Sequence, residues 1–223
     1  MVKSQFSKLA MRVRFPLPAP FMNVSHKYKT VLWLPQRTAS RTIAPMFYEY
    51  NFINAEFNTP MNGYDKYSHT LSIPPGCEQY DLICSVRNPY SWLLSIWHWD
   101  NFYPGTAAKD RISYAEFVEN RSSDLEGIMN NILKAKIKYL IKYESIKEHL
   151  YKIPWFNIKP EILNHALKNN NYISENLIRC SDDKNYSDYL KHYTKKELDI
   201  VSTKFSALFD KLGYVKYDKN CLN

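Results

Sequence analysis

Three short apolar runs stand out along the chain. Val31 to Leu34 is too short for a helix and suits a strand buried on both faces. Tyr80 to Val86 has the same character, and Ile137 to Tyr143 repeats it with a β-branched bias. A shorter strand is expected from Tyr67 to Ile73, closed by Pro74, Pro75 and Gly76. Between these runs the period changes. Ile43 to Phe57 is aromatic-rich and broadly helical, with Pro45 tolerable only if the helix starts near Thr42. Asn58 to Lys66 is turn chemistry, and a helix from Ser91 to about Trp99 follows directly on a strand.

The second half is mostly helical. Ser113 to Val118 and Leu125 to Ala135 are amphipathic, and Ser145 to Tyr151 and Glu161 to Lys168 are helical again. A loop rich in Asn, Ser and Asp runs from Asn169 to Asp183. The last helix is predicted from Lys195 to about Leu212, because Leu198, Val201, Phe205, Leu208 and Phe209 recur at helical spacing before Gly213. The order of strands, loops and helices predicts one α/β domain with phosphate-binding loops at the carboxyl ends of parallel strands. No internal repeat or domain-scale linker divides it.

Composition narrows the function. Among 223 residues, 45% hydrophobic and 15% aromatic side chains argue against disorder as the default reading. Only 5 glycines argue against the glycine-rich loop of a nucleotide kinase, and no G-x-x-x-x-G-K-[ST] is present. A net charge of +8 favours an anionic partner. Cys77, Cys84, Cys180 and Cys221 are scattered without a C-x-x-C pair, which suggests neither a zinc site nor a disulfide framework and fits reduced thiols in the cytoplasm. No apolar run approaches the roughly 18 residues of a membrane span.

Met1 to Phe21 lacks the apolar core of a secretory signal, and its prolines around Arg12 to Pro20 forbid a regular element. A basic arm that docks on a partner is one reading. The other is translation of the 3′ portion of a tRNA gene, whose T-loop sequence reads as Val-Arg-Phe-Pro. On that account Met22 rather than Met1 is the start, residues 1–25 are an extension, and the domain spans 26–223.

The chemistry is expected where the first buried strand ends. Pro35 stops it, and Gln36-Arg37-Thr38-Ala39-Ser40-Arg41-Thr42 then brings two guanidinium groups, three hydroxyls and a helix N-terminus together. Forked guanidinium donors match phosphate or sulfate oxygens. Two readings stay open for these residues alone: a phosphate or phosphosulfate cradle, or an ordinary strand–helix turn with an N-cap at Ser40 or Thr42.

Val86-Arg87-Asn88-Pro89-Tyr90-Ser91-Trp92-Leu93-Leu94-Ser95 resembles the 3′-phosphate-binding motif of the sulfotransferase family. There an Arg ends a strand and a Ser eight residues later lies on the following helix, so both can reach one terminal phosphate. Other pieces fall in family order. Arg37 to Arg41 resembles the 5′-phosphosulfate loop, and Tyr67-Ser68-His69 lies where many members place a catalytic His. Lys142-Tyr143-Glu144-Ser145-Ile146 resembles the Tyr-Glu-Asp-Leu segment, and Tyr193 to Tyr214 resembles the terminal helix. Ala39 stands where the loop usually has Gly, and Arg41 replaces a common Thr or Ser. No Arg-Lys-Gly segment is found near the C-terminus, which points toward the carbohydrate-type or microbial branches.

The resemblance implies a P-loop-like three-layer α/β domain, a central parallel sheet flanked by helices. It implies 3′-phosphoadenosine 5′-phosphosulfate (PAPS) as donor, adenosine 3′,5′-bisphosphate (PAP) as product, and sulfuryl transfer to an acceptor hydroxyl or amine. A carbohydrate is one candidate acceptor, and no metal or nucleic acid is called for. Arg37, Thr38, Ala39, Ser40, Arg41 and Thr42 would cradle the 5′-phosphosulfate, with Arg37 at the bridging oxygen. Arg87 and Ser95 would hold the 3′-phosphate. His69 is the expected general base, with Glu49 and Glu56 as rivals. His98 and His192 read as packing or surface residues, and Trp92, Trp97, Trp99 and Tyr103 as core or as the lining of an acceptor cleft. A P-loop-type phosphoryl kinase and a non-catalytic basic binding protein are the competing functions.

Overall fold

The three apolar runs become neighbouring parallel strands, with helices on both faces of the sheet they start. The computed structural model describes residues 23–47, 50–54, 59–60, 73–102, 111–120, 125–161, 163–164 and 190–217. In chain order these form β1 (Asn23–Ser25), β2 (Thr30–Trp33), α1 (Ser40–Met46), β3 (Ile53–Asn54), β4 (Thr59–Pro60), β5 (Asp81–Val86) and α2 (Pro89–Phe102). There follow α3 (Tyr114–Asn120), α4 (Glu126–Lys134), β6 (Ile137–Lys142), α5 (Ile146–Leu150), α6 (Lys195–Lys204) and α7 (Ser206–Leu212). One six-stranded sheet runs in the order β4-β3-β1-β2-β5-β6.

Alternation along the strands sorts the core into two layers. Val31 and Trp33 of β2, with Leu82, Cys84 and Val86 of β5, face α2, α3, α4, α6 and α7. Leu32, Leu34 and Ile83 face the opposite way, against α1 and α5. Thr30 to Leu34 is buried throughout, as the unbroken apolar run requires. Cys77 and Cys84 are free thiols within this packing, and burial pushes the Cys84 thiol well above its ordinary range. No helix among the described residues is long and apolar enough to cross a membrane.

The sheet departs from the expected all-parallel form. Strands β2, β5 and β6 are parallel, with Val31 opposite Leu82 and Ser85 opposite Ile141. Strands β1, β3 and β4 join antiparallel. The four residues between Ser25 and Thr30 are too few for a crossover, so β1 can only fold back on β2 as a hairpin. Lys29 takes φ 49° to close that hairpin. Because β1 begins at Asn23, the sheet starts three residues before the expected domain boundary at His26.

Two expected helices are shorter. The pattern from Ile43 to Phe57 ends as a helix at Met46, and Ile53–Asn54 joins the sheet beside β1. Phe47, Tyr50 and Phe52 instead pack around Trp155 and Phe156, a burial that outweighs their modest helix propensity. The final helix breaks at Phe205 (φ −107°, ψ 17°) into α6 and α7. The Ser202 hydroxyl donates to the Leu198 carbonyl at 2.6 Å, a back-bond that loosens a helix locally. At the other end of α6, Thr194 and Glu197 form a reciprocal capping box. The strand expected at Tyr67 to Ile73 and the loop from Asn169 to Asp183 lie outside the described residues, except Ile73, which is in no strand.

Candidate functional site

The parallel strands β2, β5 and β6 end on the same edge of the sheet, and each is followed by a loop or turn that contributes to one cluster of side chains. After β2 the chain turns tightly. The Pro35 carbonyl accepts from the Thr38 amide at 3.3 Å and from the Thr38 hydroxyl at 2.6 Å. Arg37 and Ala39 both adopt left-handed backbone, at φ 63° and 69°. For residues with a Cβ this conformation costs roughly 1–2 kcal/mol each. Ala39, followed by helical Ser40, forms a pair of opposite hand, the geometry that turns amide groups toward an anion.

After β5, Arg87 and Asn88 lead into α2, whose first residue is Pro89. The Asn88 side-chain oxygen accepts from the Tyr90 amide at 3.0 Å and caps the helix. Arg87 is buried; its Nε donates to Ser91 Oγ at 3.0 Å and one terminal nitrogen donates to the Arg37 carbonyl at 3.4 Å. Its guanidinium lies 4.2 Å from the centre of the Tyr143 ring. Half-buried Arg37 reaches the same helix one turn further on. Its Nε donates to Ser95 Oγ at 3.1 Å and its guanidinium lies 4.9 Å from the Trp99 ring centre. Ser91, Ser95 and Trp99 are spaced four residues apart, so they share one face of α2. Trp92, fully buried, donates its indole N–H to the Gln36 carbonyl at 2.7 Å and ties the first loop to the helix.

The turn after β6 braces the second loop. The Glu144 carboxylate accepts from the Asn88 amide at 2.8 Å and from the Tyr214 hydroxyl at 2.7 Å. The Lys142 ammonium lies 4.7 Å from the Tyr214 ring centre. Three strand ends and the segment after α7 are thereby joined.

Among the expected residues, Arg37, Arg87 and Ser95 are brought together. The pairing differs from the expectation: Ser95 serves Arg37, and Arg87 takes Ser91, one helical turn earlier. Thr38 does not offer its hydroxyl to a ligand. That group is fully buried and shared between Pro35 and Ser85 Oγ on β5, which makes it a brace between strands. Ser40 and Thr42 are nearly buried in α1. The helix cap falls on Ala39 rather than on Ser40 or Thr42, and no side chain closes it. Arg41 is the second residue of α1, and its side chain lies outside the described residues. His69, Glu49, Glu56 and Tyr103 also lie outside them.

Sequence reasoning passed over Ser91 and Tyr143 as partners of Arg87. The signal for Ser91 was its position four residues before Ser95, on the same helical face. Tyr143 immediately follows β6, whose parallel pairing with β5 brings their carboxyl ends together. The aromatic residues of α2 divide: Trp92 is core, Trp97 is half-buried and bonded to the Ile112 carbonyl, and Trp99 faces Arg37. No family model, curated protein or solved structure matches the chain.

Proposed function

We propose that the chain is a PAPS-dependent sulfotransferase built on a P-loop-like α/β frame. It moves a sulfuryl group to an acceptor hydroxyl or amine, with carbohydrate hydroxyls as one acceptor class. The observation that carries this reading is the convergence of Arg37 and Arg87, from the loops of two adjacent parallel strands, on Ser95 and Ser91 of a single helix face. Ligands of α/β sheets bind beyond the carboxyl ends of the strands. Two guanidinium groups at that position, Arg87 bonded also to the Arg37 carbonyl, suit a ligand with two separated anionic groups, as PAPS has.

The chemistry assigns a role to each. The acceptor oxygen or nitrogen attacks sulfur while the bond from sulfur to the 5′-phosphate oxygen breaks, and the electron pair leaves on that phosphate. Arg37 offsets the charge that develops on the leaving oxygen, the kind of fixed electrostatic stabilisation that dominates such transfers. Arg87, with Ser91 at its Nε and Ser95 one helical turn further on, holds the 3′-phosphate and separates this donor from ordinary nucleotides. The acceptor proton passes to a base, for which His69, Glu49 and Glu56 remain the candidates.

Calorimetric titration with PAP, with AMP as the control, tests the reading on wild type, Arg87→Ala and the charge-conserving Arg87→Lys. Binding of PAP at least about tenfold tighter than AMP, with the preference lost in Arg87→Ala, is expected; tenfold corresponds to about 1.4 kcal/mol. Equal or absent binding of the two nucleotides, unchanged by either variant, refutes it and favours a non-catalytic basic binding protein.

A further inference from the structure

His98 lies on the same side of α2 as the serines that hold the two arginines. At about 100° per residue, Ser91, Ser95, His98, Trp99 and Phe102 fall within an arc of about 100°. Arg37 bonds Ser95 and covers Trp99, and the half-buried His98 precedes Trp99 on this side of the helix, within reach of the Arg37 charge. The ring is held by aromatic neighbours, with Phe102 at 4.6 Å between centroids and Trp97 at 5.8 Å. Resting on the sulfotransferase reading of this site, we propose that His98 is a proton-coupled ligand of it, which joins Arg37 on a bound phosphate or sulfate group, so that anion binding takes up a proton.

The charges around the ring give the reason. Arg37 approaches from the loop after β2, His192 from the turn before α6, and Arg111 from the segment before α3, its guanidinium 5.0 Å from the Phe102 ring centre. Asp100 lies two residues further along α2 itself. In the free protein, burial lowers the His98 pKa below its ordinary 6.5, a hydrogen bond opposes this, and the charges of Arg37 and His192 lower it further. The ring is therefore mainly neutral at pH 7. A dianion beside Arg37 reverses the local field and raises the affinity of His98 for a proton. By linkage, affinity for the anion must then rise as the pH falls through the window between the free and bound values. Each unit by which the ligand raises that pKa gives up to tenfold in affinity.

Calorimetry with PAP at pH 6.5, in two buffers of different ionisation enthalpy, measures the protons taken up. Wild type is expected to take up more than His98→Asn, and the wild-type affinity to fall more steeply between pH 5.5 and 8. The comparison between the two proteins removes the titration of the nucleotide's own phosphates. Inorganic sulfate, which stays doubly charged over this range, is the second probe. The His98 ring resonances of the wild-type protein, followed by NMR with and without each probe, give the same answer without a variant. Equal proton uptake in the two proteins, or ring resonances whose titration the anion leaves unmoved, overturns the proposal while the donor reading stands. His98-dependent uptake with sulfate but no binding of PAP overturns the donor reading alone. Binding of neither probe overturns both.

Discussion

Glu144 offers the sharpest test of how the site is held together. Its carboxylate accepts from the Asn88 amide at 2.8 Å and the Tyr214 hydroxyl at 2.7 Å, and Asn88 directly follows the buried Arg87. A hydrogen bond to a charged group contributes about 1.5–3 kcal/mol when well buried. Glu144 is half-buried, so solvent screening takes the lower end of that range for each bond. Glu144→Ala is therefore expected to cost about 2–3 kcal/mol, part of it from leaving the Asn88 amide without its acceptor. Glu144→Gln keeps one acceptor oxygen and most of the volume, and about 1 kcal/mol is expected. Urea denaturation followed by tryptophan fluorescence measures both. A double-mutant cycle with Tyr214→Phe should show a coupling of at least about 0.5 kcal/mol. A functional consequence accompanies it: Glu144→Ala should weaken PAP binding more than AMP binding, because the loop it anchors directs Arg87. A Glu144→Ala protein within about 0.5 kcal/mol of wild type, and unaltered in nucleotide preference, would refute this reasoning.

Three further predictions concern features outside that contact. The Tyr193 hydroxyl donates to the Tyr90 carbonyl at 2.7 Å and accepts from the Tyr114 hydroxyl, all within the core, so Tyr193→Phe should lose about 2–3 kcal/mol in the same denaturation assay. Burial raises the pKa of Tyr114 and Tyr193 well above about 10, so stability is full below that pH and falls as the pH rises beyond it; ultraviolet titration should show that these two rings resist ionisation until the protein unfolds. Ala39→Gly removes the Cβ from a left-handed residue (φ 69°). Strain relief of about 1–2 kcal/mol against an entropic cost of about 0.5–1 kcal/mol should leave a net gain of up to about 1.5 kcal/mol, read as a raised urea midpoint. A loss larger than about 0.5 kcal/mol would contradict the strain argument.

The legible parts of the sequence were those where burial writes a pattern. Val31 to Leu34 and Leu82 to Val86 are buried throughout, and runs this apolar leave them little alternative to a central strand. Arg37 lies just beyond such a strand, where a cation emerges at the sheet edge; Arg87 and Ser95 were singled out by their resemblance to a family motif, not by the burial pattern. The antiparallel half was not legible. Asn23–Ser25 and Ile53–Asn54 are too short to carry a period, and only their pairing with the sheet makes them strands. Contacts between distant segments were equally hidden. Nothing in Tyr143 announces that its ring will lie against Arg87, since β6 must first be placed beside β5. Thr38 illustrates the converse error. Its hydroxyl looked available in a loop, yet the left-handed residues on either side turn the chain so that it braces β5.

The partners of Arg87 bear on why the residue is there at all. Among the described residues, its guanidinium is buried against a serine hydroxyl, a backbone carbonyl and a tyrosine ring, none of which carries a full negative charge. A charge buried against dipoles alone is held at a free-energy cost, because these groups replace only part of its hydration. An apolar side chain of similar length would pack in the same space without that cost, as replacement of buried ionic groups by hydrophobic ones often shows. If Arg87 were only a strut, Arg87→Met would destabilise the protein by losing its hydrogen bonds. If it is instead a site prepared for an anion, Arg87→Met should leave stability within about 1 kcal/mol of wild type while removing the preference for PAP over AMP. Adding PAP should then raise the wild-type unfolding midpoint in proportion to RT ln(1 + [PAP]/Kd) and leave the variant unmoved. A variant that loses several kcal/mol yet keeps the nucleotide preference would make Arg87 structural and return the anion site to Arg37 alone.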